Sequence, residues 1–235
     1  MPKPQDRLIV ALDYPSAAEA LRLVDQLAGQ VLWYKVGLEL YLAEGPSIVE
    51  TLRNRGFNIF LDLKLHDIPN TVRGAVRSVS RIGASLLTVH SAGGPKMIEA
   101  AVEASVESPD GLKILGVTVL TSMDAAQLSA SGINAPVPQQ VELLAAMARA
   151  AGAPGLICSP LECAQLRRIL GPEPLLVVPG IRPMGAAAQD QSRIATPADA
   201  LRDGASYLVV GRPISQATDP AQAAAAILEE IENAI

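Results

Sequence analysis

The feature that most restricts the fold is an alternation, eight times over, of a short apolar run with a longer stretch of helical spacing. The short runs occupy residues 8–12, 33–37, 58–64, 85–90, 113–120, 156–158, 175–178 and 207–210. Apolar residues recur at every third or fourth position over residues 16–27, 48–55, 71–82, 96–106, 141–151, 161–170, 197–203 and 220–231. The first pattern reads as strand and the second as amphipathic helix. Ser16 stands where a helix N-cap belongs. Gly56, Gly83, Gly152, Gly171 and Gly204 each follow a helical stretch, as C-capping residues do. Strands that alternate with helices imply a parallel sheet, because parallel neighbours need a crossover between them. Eight such units in 235 residues favour an α/β (β/α)8 TIM barrel, one domain over residues 1–235, rather than an open doubly wound sheet. The longest interval between strands, residues 121–155, is expected to hold an extra loop or short helix.

Such barrels carry their chemistry at the C-terminal ends of the strands. The polar residues at those ends are Asp13, Lys35, Asp62, Lys64, His90, Thr121, Ser159, Arg182 and Arg212. Charges gathered at one mouth are costly unless they are paired or used. The densest stretch is Leu61-Asp62-Leu63-Lys64-Leu65-His66-Asp67-Ile68-Pro69-Asn70-Thr71. Residues two apart on a strand share a face, so Asp62 and Lys64 point the same way. Asp67 lies past the strand end, where Pro69 helps to start a helix, and leans over the mouth or toward a neighbouring subunit. Lys35, on the adjacent strand, is expected beside Asp62, giving an alternating chain Lys35, Asp62, Lys64, Asp67. Carboxylates on both sides favour the charged lysine. An ammonium held in this way can stabilise a developing carbanion and then protonate it, whereas a nucleophilic amine would need the opposite surroundings. The same D-x-K-x-x-D pattern also reads as a purely structural ladder of ion pairs.

The second signal is the pair of late loops, Pro179-Gly180-Ile181-Arg182-Pro183 with Gln189, Asp190, Gln191 and Arg193 after it, and Val210-Gly211-Arg212-Pro213. Loops after the seventh and eighth strands often form the phosphate site of a barrel. Gly211 lets a backbone N–H approach an anion, Arg212 offers a forked cation, and Gln191 an amide donor. The competing reading is two tight turns with solvated arginines. Residues 185–188, all small, read as a closing lid or as an ordinary surface loop. Asp13 fits either a contact to ribose hydroxyls or a helix cap. Thr121 and Ser122 fit either a contact to a base edge or a hydroxyl-stabilised turn. His90 reads as a satisfied histidine at the mouth rather than a base.

Composition removes several function classes. A net charge of −5 and only 3% aromatic residues oppose binding to nucleic acid. Cys158 and Cys163 make no disulfide framework, which points to a reducing compartment; with only His66 and His90 to join them, they are too few for a structural zinc site. The first residues lack the apolar stretch of a signal peptide, and no run of 18 apolar residues occurs. The expectation is a cytoplasmic protein with no membrane association.

These residues resemble those of bacterial orotidine 5'-phosphate decarboxylases along nearly the whole chain. The shared motifs are ALDYP at 11–15, YKVG at 34–37, DLKLHDIPNT at 62–71, LTS at 120–122, PGIRP at 179–183, DQ-x-R at 190–193 and VGRPI at 210–214. The resemblance implies decarboxylation of orotidine 5'-monophosphate to uridine 5'-monophosphate, the last step of de novo pyrimidine synthesis, without metal or organic cofactor. It implies that Lys64 protonates C6, that Asp62 and Asp67 flank the departing carboxylate, and that Lys35 completes the charge chain. It further implies ribose contacts from Asp13 and Lys35, a pyrimidine contact from Thr121, and a phosphate grip from Arg182, Gln191, Gly211 and Arg212. Asp67, Ile68 and Thr71 would reach the partner's site in a homodimer. Two alternatives stand beside it. One is a magnesium-dependent sugar-phosphate decarboxylase or aldolase of the same superfamily. Those enzymes resemble one another in placing a glutamate ligand on the second strand, where this chain has Lys35. The other is a noncatalytic nucleotide-binding barrel, since fold alone does not dictate function.

Overall fold

The computed structural model describes residues 3–27, 29–183 and 194–235. Eight parallel strands close in sequence order: β1 (Leu8–Leu12), β2 (Trp33–Gly37), β3 (Asn58–Leu65), β4 (Leu86–His90), β5 (Lys113–Val117), β6 (Gly155–Ile157), β7 (Leu175–Val178) and β8 (Tyr207–Val210). Closure occurs where Ile9 pairs with Val209. The helices are α1 (Ala17–Gln26), α2 (Leu38–Glu44), α3 (Pro46–Asn54), α4 (Pro69–Ile82), α5 (Pro95–Val106), α6 (Ala125–Ala130), α7 (Val137–Ala150), α8 (Cys163–Leu170), α9 (Pro197–Arg202), α10 (Arg212–Ser215) and α11 (Pro220–Glu232), the last two after β8.

Local chemistry sets these boundaries. Ser16 accepts the Glu19 N–H and caps α1. Pro69 opens α4, and Gly83 closes it in the left-handed region at φ 78°. All five glycines expected to follow helices adopt positive φ, a conformation that costs other residues a Cβ clash.

Strand parity divides the core into two shells. One face of each strand packs against the helices, in a continuous apolar layer that includes Leu8, Tyr34, Ile59, Leu61, Leu87 and Leu208. The other face fills the barrel with Ile9, Ala11, Phe60, Leu86, Leu115, Val177 and Val209. Trp33 and Tyr207 pack against that inner cluster, with ring centroids 5.1 Å apart. Burying each large aliphatic or aromatic side chain stabilises by about 1.5–3 kcal/mol. The interior is therefore a plug, not a pore, and polar groups can collect only above it. Both cysteines are fully buried, with sulfurs 3.8 Å apart. The contact with Cys163 and burial both push the Cys158 thiol well above its ordinary range.

Several boundaries differ from the sequence reading. β5 ends at Val117, not at residue 120, because its neighbour β6 is only three residues long and its last pair is Val117 with Ile157. α2 was not expected: the run Leu38-Glu39-Leu40-Tyr41-Leu42 lacks a clean apolar stripe, with Leu40 buried and Leu42 79% exposed. The long interval holds α6 and all of α7, which begins four residues before the helical stretch expected at 141. Residues 160–162 form a 3-10 turn before α8, and residues 212–215 form the short α10.

Two irregularities matter for the site. Between β3 and β4 the register runs Leu61 with Leu87 and then Leu65 with Val89, so β3 advances four residues while β4 advances two. Within that bulge Lys64 has φ 49°, the one positive value outside glycine among the described residues. After β7, Ile181 bridges to Ala195, and the Arg182 N–H donates to the Ala195 carbonyl at 2.9 Å. The segments on either side of residues 184–193 are thus joined at one hydrogen-bonded neck.

Candidate active site

An open cavity of about 260 Å3 lies at the C-terminal ends of the strands. Ala11, Phe60, Val117, Ile157 and Val209 give it apolar surface, and Asp13, Lys35, Asp62, Lys64, Thr121, Arg182, Gly211 and Arg212 line it as well. Seven of the nine residues expected at the strand ends, together with Gly211 of the last loop, therefore share one chamber. Among the described lining residues, four cations face two carboxylates, although the whole chain carries net charge −5. A local positive excess over an apolar surface suits an anionic ligand.

The Lys64 ammonium donates to both carboxylate oxygens of Asp62, each at 2.8 Å. The two side chains are 30% and 15% exposed. The pairing expected between Lys35 and Asp62 does not form. Lys35 instead donates to Asp13 at 2.7 Å. Register explains the difference. Lys35 is level with Phe60, while Asp62 is level with Gly37, and Asp62 is already engaged by Lys64. Gly37 leaves the space through which Lys35 reaches Asp13: a Cβ there would sit 2.8 Å from the Lys35 ammonium and 3.3 Å from the Asp13 carboxylate.

Asp67, Ile68 and Thr71 stand apart from this chamber. All three are exposed around the start of α4, and Asp67 accepts the Ile68 N–H at 2.7 Å. Asp67 therefore does not extend the charge chain within one subunit. His90 and Ser159 also lie outside the cavity lining. Gln191, with Gln189, Asp190, Arg193 and the small-residue segment 185–188, lies outside the described residues.

Arg182 is only 7% exposed. Burial, and then the nearby Arg212, push its guanidinium below the ordinary arginine range. Two mutually repelling guanidiniums at the ends of β7 and β8 form the cationic side of the cavity. In an eight-stranded closed barrel, β3 with its Lys64–Asp62 pair lies across from β7.

Two residues of the site were missed from sequence. Gly37 is one. The other is Thr88, fully buried on β4, whose hydroxyl donates to Asp62 at 2.9 Å and accepts the Lys64 backbone N–H at 2.8 Å. Its parity with Leu86 and His90 was the available signal, since all three alternate onto the barrel's inner face.

His90 is pushed below its ordinary value of 6.5, first by burial, then by His66 and Lys64, with Asp62 opposing. The two imidazole centroids are 5.5 Å apart. The unfolded chain therefore binds a proton near pH 6.5 that the folded chain takes up only at lower pH. Stability from this group is complete above that pH and declines as pH falls below it. We expect the urea midpoint to drop between pH 7 and 5.5, and to drop less steeply in His90→Gln. A midpoint profile identical in the two proteins would remove His90 as the cause.

Comparison with known proteins adds the following. Residues 6–227 match the family model described as "Orotidine 5'-phosphate decarboxylase / HUMPS family". The chain is 54% identical over 225 residues to the orotidine 5'-phosphate decarboxylase of Anaeromyxobacter sp. (strain K), covering 96% of this chain and 98% of that one. It is 52% identical over 233 residues to the enzyme of that name from Rhodopseudomonas palustris (strain BisB5), covering 99% and 97%. Among solved structures, the orotidine 5'-phosphate decarboxylase of Lactobacillus acidophilus superposes with a TM-score of 0.86 at 38% identity, over 96% of this chain and 99% of that one. An uncharacterized conserved protein from Geobacillus kaustophilus superposes with a TM-score of 0.83, also at 38% identity, over 95% and 99%.

Proposed function

Because the chain belongs to the orotidine 5'-phosphate decarboxylase family, it converts orotidine 5'-monophosphate to uridine 5'-monophosphate and CO2, and we propose that the Lys64–Asp62 pair carries the chemistry. Breaking the bond from C6 to the carboxylate leaves its electron pair on C6. The Lys64 ammonium lies beside that carbon, offsets the growing negative charge and delivers a proton to it. The lysine then regains a proton from water, so the balance is substrate plus one proton giving product plus CO2. Asp62 holds the ammonium in place before the substrate arrives, so little reorganisation is needed during reaction.

The remaining assignments follow the chemistry of the substrate. Arg182, Arg212, the backbone at Gly211, and Gln191 bind the 5'-phosphate. Asp13 and Lys35, joined to each other, meet the ribose hydroxyls. Thr121 meets the pyrimidine. Asp67, Ile68 and Thr71 complete the site of a second subunit in a homodimer; in support, all three are exposed around the start of α4, at the same end of the barrel as the cavity. No helix among the described residues is long and apolar enough to cross a membrane, and we place the enzyme in the cytoplasm.

The observation that carries the mechanism is the ammonium fixed at 2.8 Å from both oxygens of Asp62, across the barrel from Arg182. An inward Lys35, only 12% exposed, also puts positive charge where a magnesium-dependent relative would need a carboxylate ligand. The test is the loss of orotidine 5'-monophosphate absorbance with purified protein, with and without excess EDTA. Equal, rapid loss in both is expected. Loss abolished by EDTA would overturn the metal-free lysine mechanism, and no loss in either from folded protein would favour a sugar-phosphate lyase or a binding barrel.

A further inference from the structure

We infer that Thr88 is the positioning residue of the Lys64–Asp62 pair, and this rests on the role proposed above for Lys64. The β3 bulge supplies the reason. Where β3 advances four residues against two of β4, the regular ladder between the strands is broken. Thr88 is the β4 residue opposite that break, between Leu87 and Val89. Its hydroxyl takes the place of the missing ladder in two ways at once. It accepts the Lys64 N–H at 2.8 Å and donates its single proton to Asp62 Oδ1 at 2.9 Å. Because a hydroxyl has one proton, these two bonds fix its orientation, and the Asp62 carboxylate is held at Oδ1 by Thr88 as well as by the lysine.

Three further facts favour positioning over mere filling of space. The carboxylate torsion of an aspartate is broad and roughly two-fold, so it needs an external constraint to settle. Lys64 sits at φ 49°, and a non-glycine residue stays there only when its surroundings hold it. Thr88 is β-branched and stiff about its first side-chain torsion, and it is fully buried. It lies behind the cavity rather than in its lining. It therefore acts on the reaction only through Asp62 and Lys64.

The experiment compares Thr88→Val, Thr88→Ser and Thr88→Ala with the wild type and with Lys64→Ala. It measures kcat per site that binds uridine 5'-monophosphate, so unfolded protein does not count. Thr88→Val keeps the shape and loses the hydroxyl. We expect kcat to fall about 10- to 100-fold, with KM and product affinity within about threefold of wild type, since phosphate and ribose contacts are untouched. Thr88→Ser keeps the hydroxyl and should restore kcat to within about threefold of wild type on the same principle. A Thr88→Val enzyme with kcat within about twofold of wild type would overturn the inference, as would equal losses in kcat and product affinity. If the valine variant does not fold, Thr88→Ala takes its place, and alanine matching serine in kcat overturns it equally. Activity surviving in Lys64→Ala would instead overturn the lysine mechanism itself, so the two failures are separable.

Discussion

Lys64→Ala is expected to lower kcat for orotidine 5'-monophosphate by about four to seven orders of magnitude, while the barrel still folds. The size follows from the two duties assigned to one atom. A positioned general acid contributes roughly 10²–10⁴-fold, and a preorganised charge at the developing anion about another 10²–10³-fold. Folding should survive because the side chain is 30% exposed and the apolar plug below it is unchanged. Asp62 loses its cation but keeps the Thr88 hydroxyl. The backbone gives a second, independent readout. At φ 49° alanine keeps the steric penalty and glycine does not, so Lys64→Gly should be more stable than Lys64→Ala by about 1 kcal/mol. Urea unfolding of the two variants and single-turnover assays measure both quantities. Retention of wild-type turnover in the alanine variant would end the proposed mechanism.

The second large effect is on substrate recognition. Arg212→Ala is expected to raise KM for orotidine 5'-monophosphate, and Kd for uridine 5'-monophosphate, by about 10²-fold, the scale of a lost charged hydrogen-bonding partner. Arg212 lines the same cavity as Lys64 but at the start of α10 after β8, where the proposal above puts the phosphate and not C6. The decisive comparison is a nucleoside without the phosphate. Its slow turnover should be nearly the same in Arg212→Ala and in the wild type, because the deleted interaction was never available to it. Calorimetry with uridine and uridine 5'-monophosphate makes the same separation in binding alone. A uniform loss for ligands with and without phosphate would assign Arg212 to the fold rather than to the phosphate.

Much of this arrangement was legible in the sequence because barrels are periodic. Alternation of period two placed Asp62 and Lys64 on one face. The chain's turn chemistry also spoke plainly, as at Ser16, Pro69 and Gly83. What parity does not reveal is register. The partner of Lys35 depends on which residue of β1 or β3 lies level with it, and that is fixed by barrel closure rather than by any local stretch. The bulge in β3 is hidden for the same reason: Leu61-Asp62-Leu63-Lys64-Leu65 reads as flawless alternation, and only the pairing with β4 exposes the two surplus residues. Thr88 could not be ranked among other polar strand residues until that irregularity gave its hydroxyl something to hold. α2 escaped notice because its apolar residues do not fall on one side, with Leu38 and Leu42 facing outward.

The neck after β7 bears on how this lineage can vary. Ile181 and Ala195 are tied by backbone contacts that belong to the barrel, and the Arg182 N–H completes the tie at the Ala195 carbonyl. Main-chain groups make that join, and every residue except proline supplies an N–H. The side chain at 182 can therefore change without untying the two segments, so the fold leaves its identity to whatever the cavity must hold.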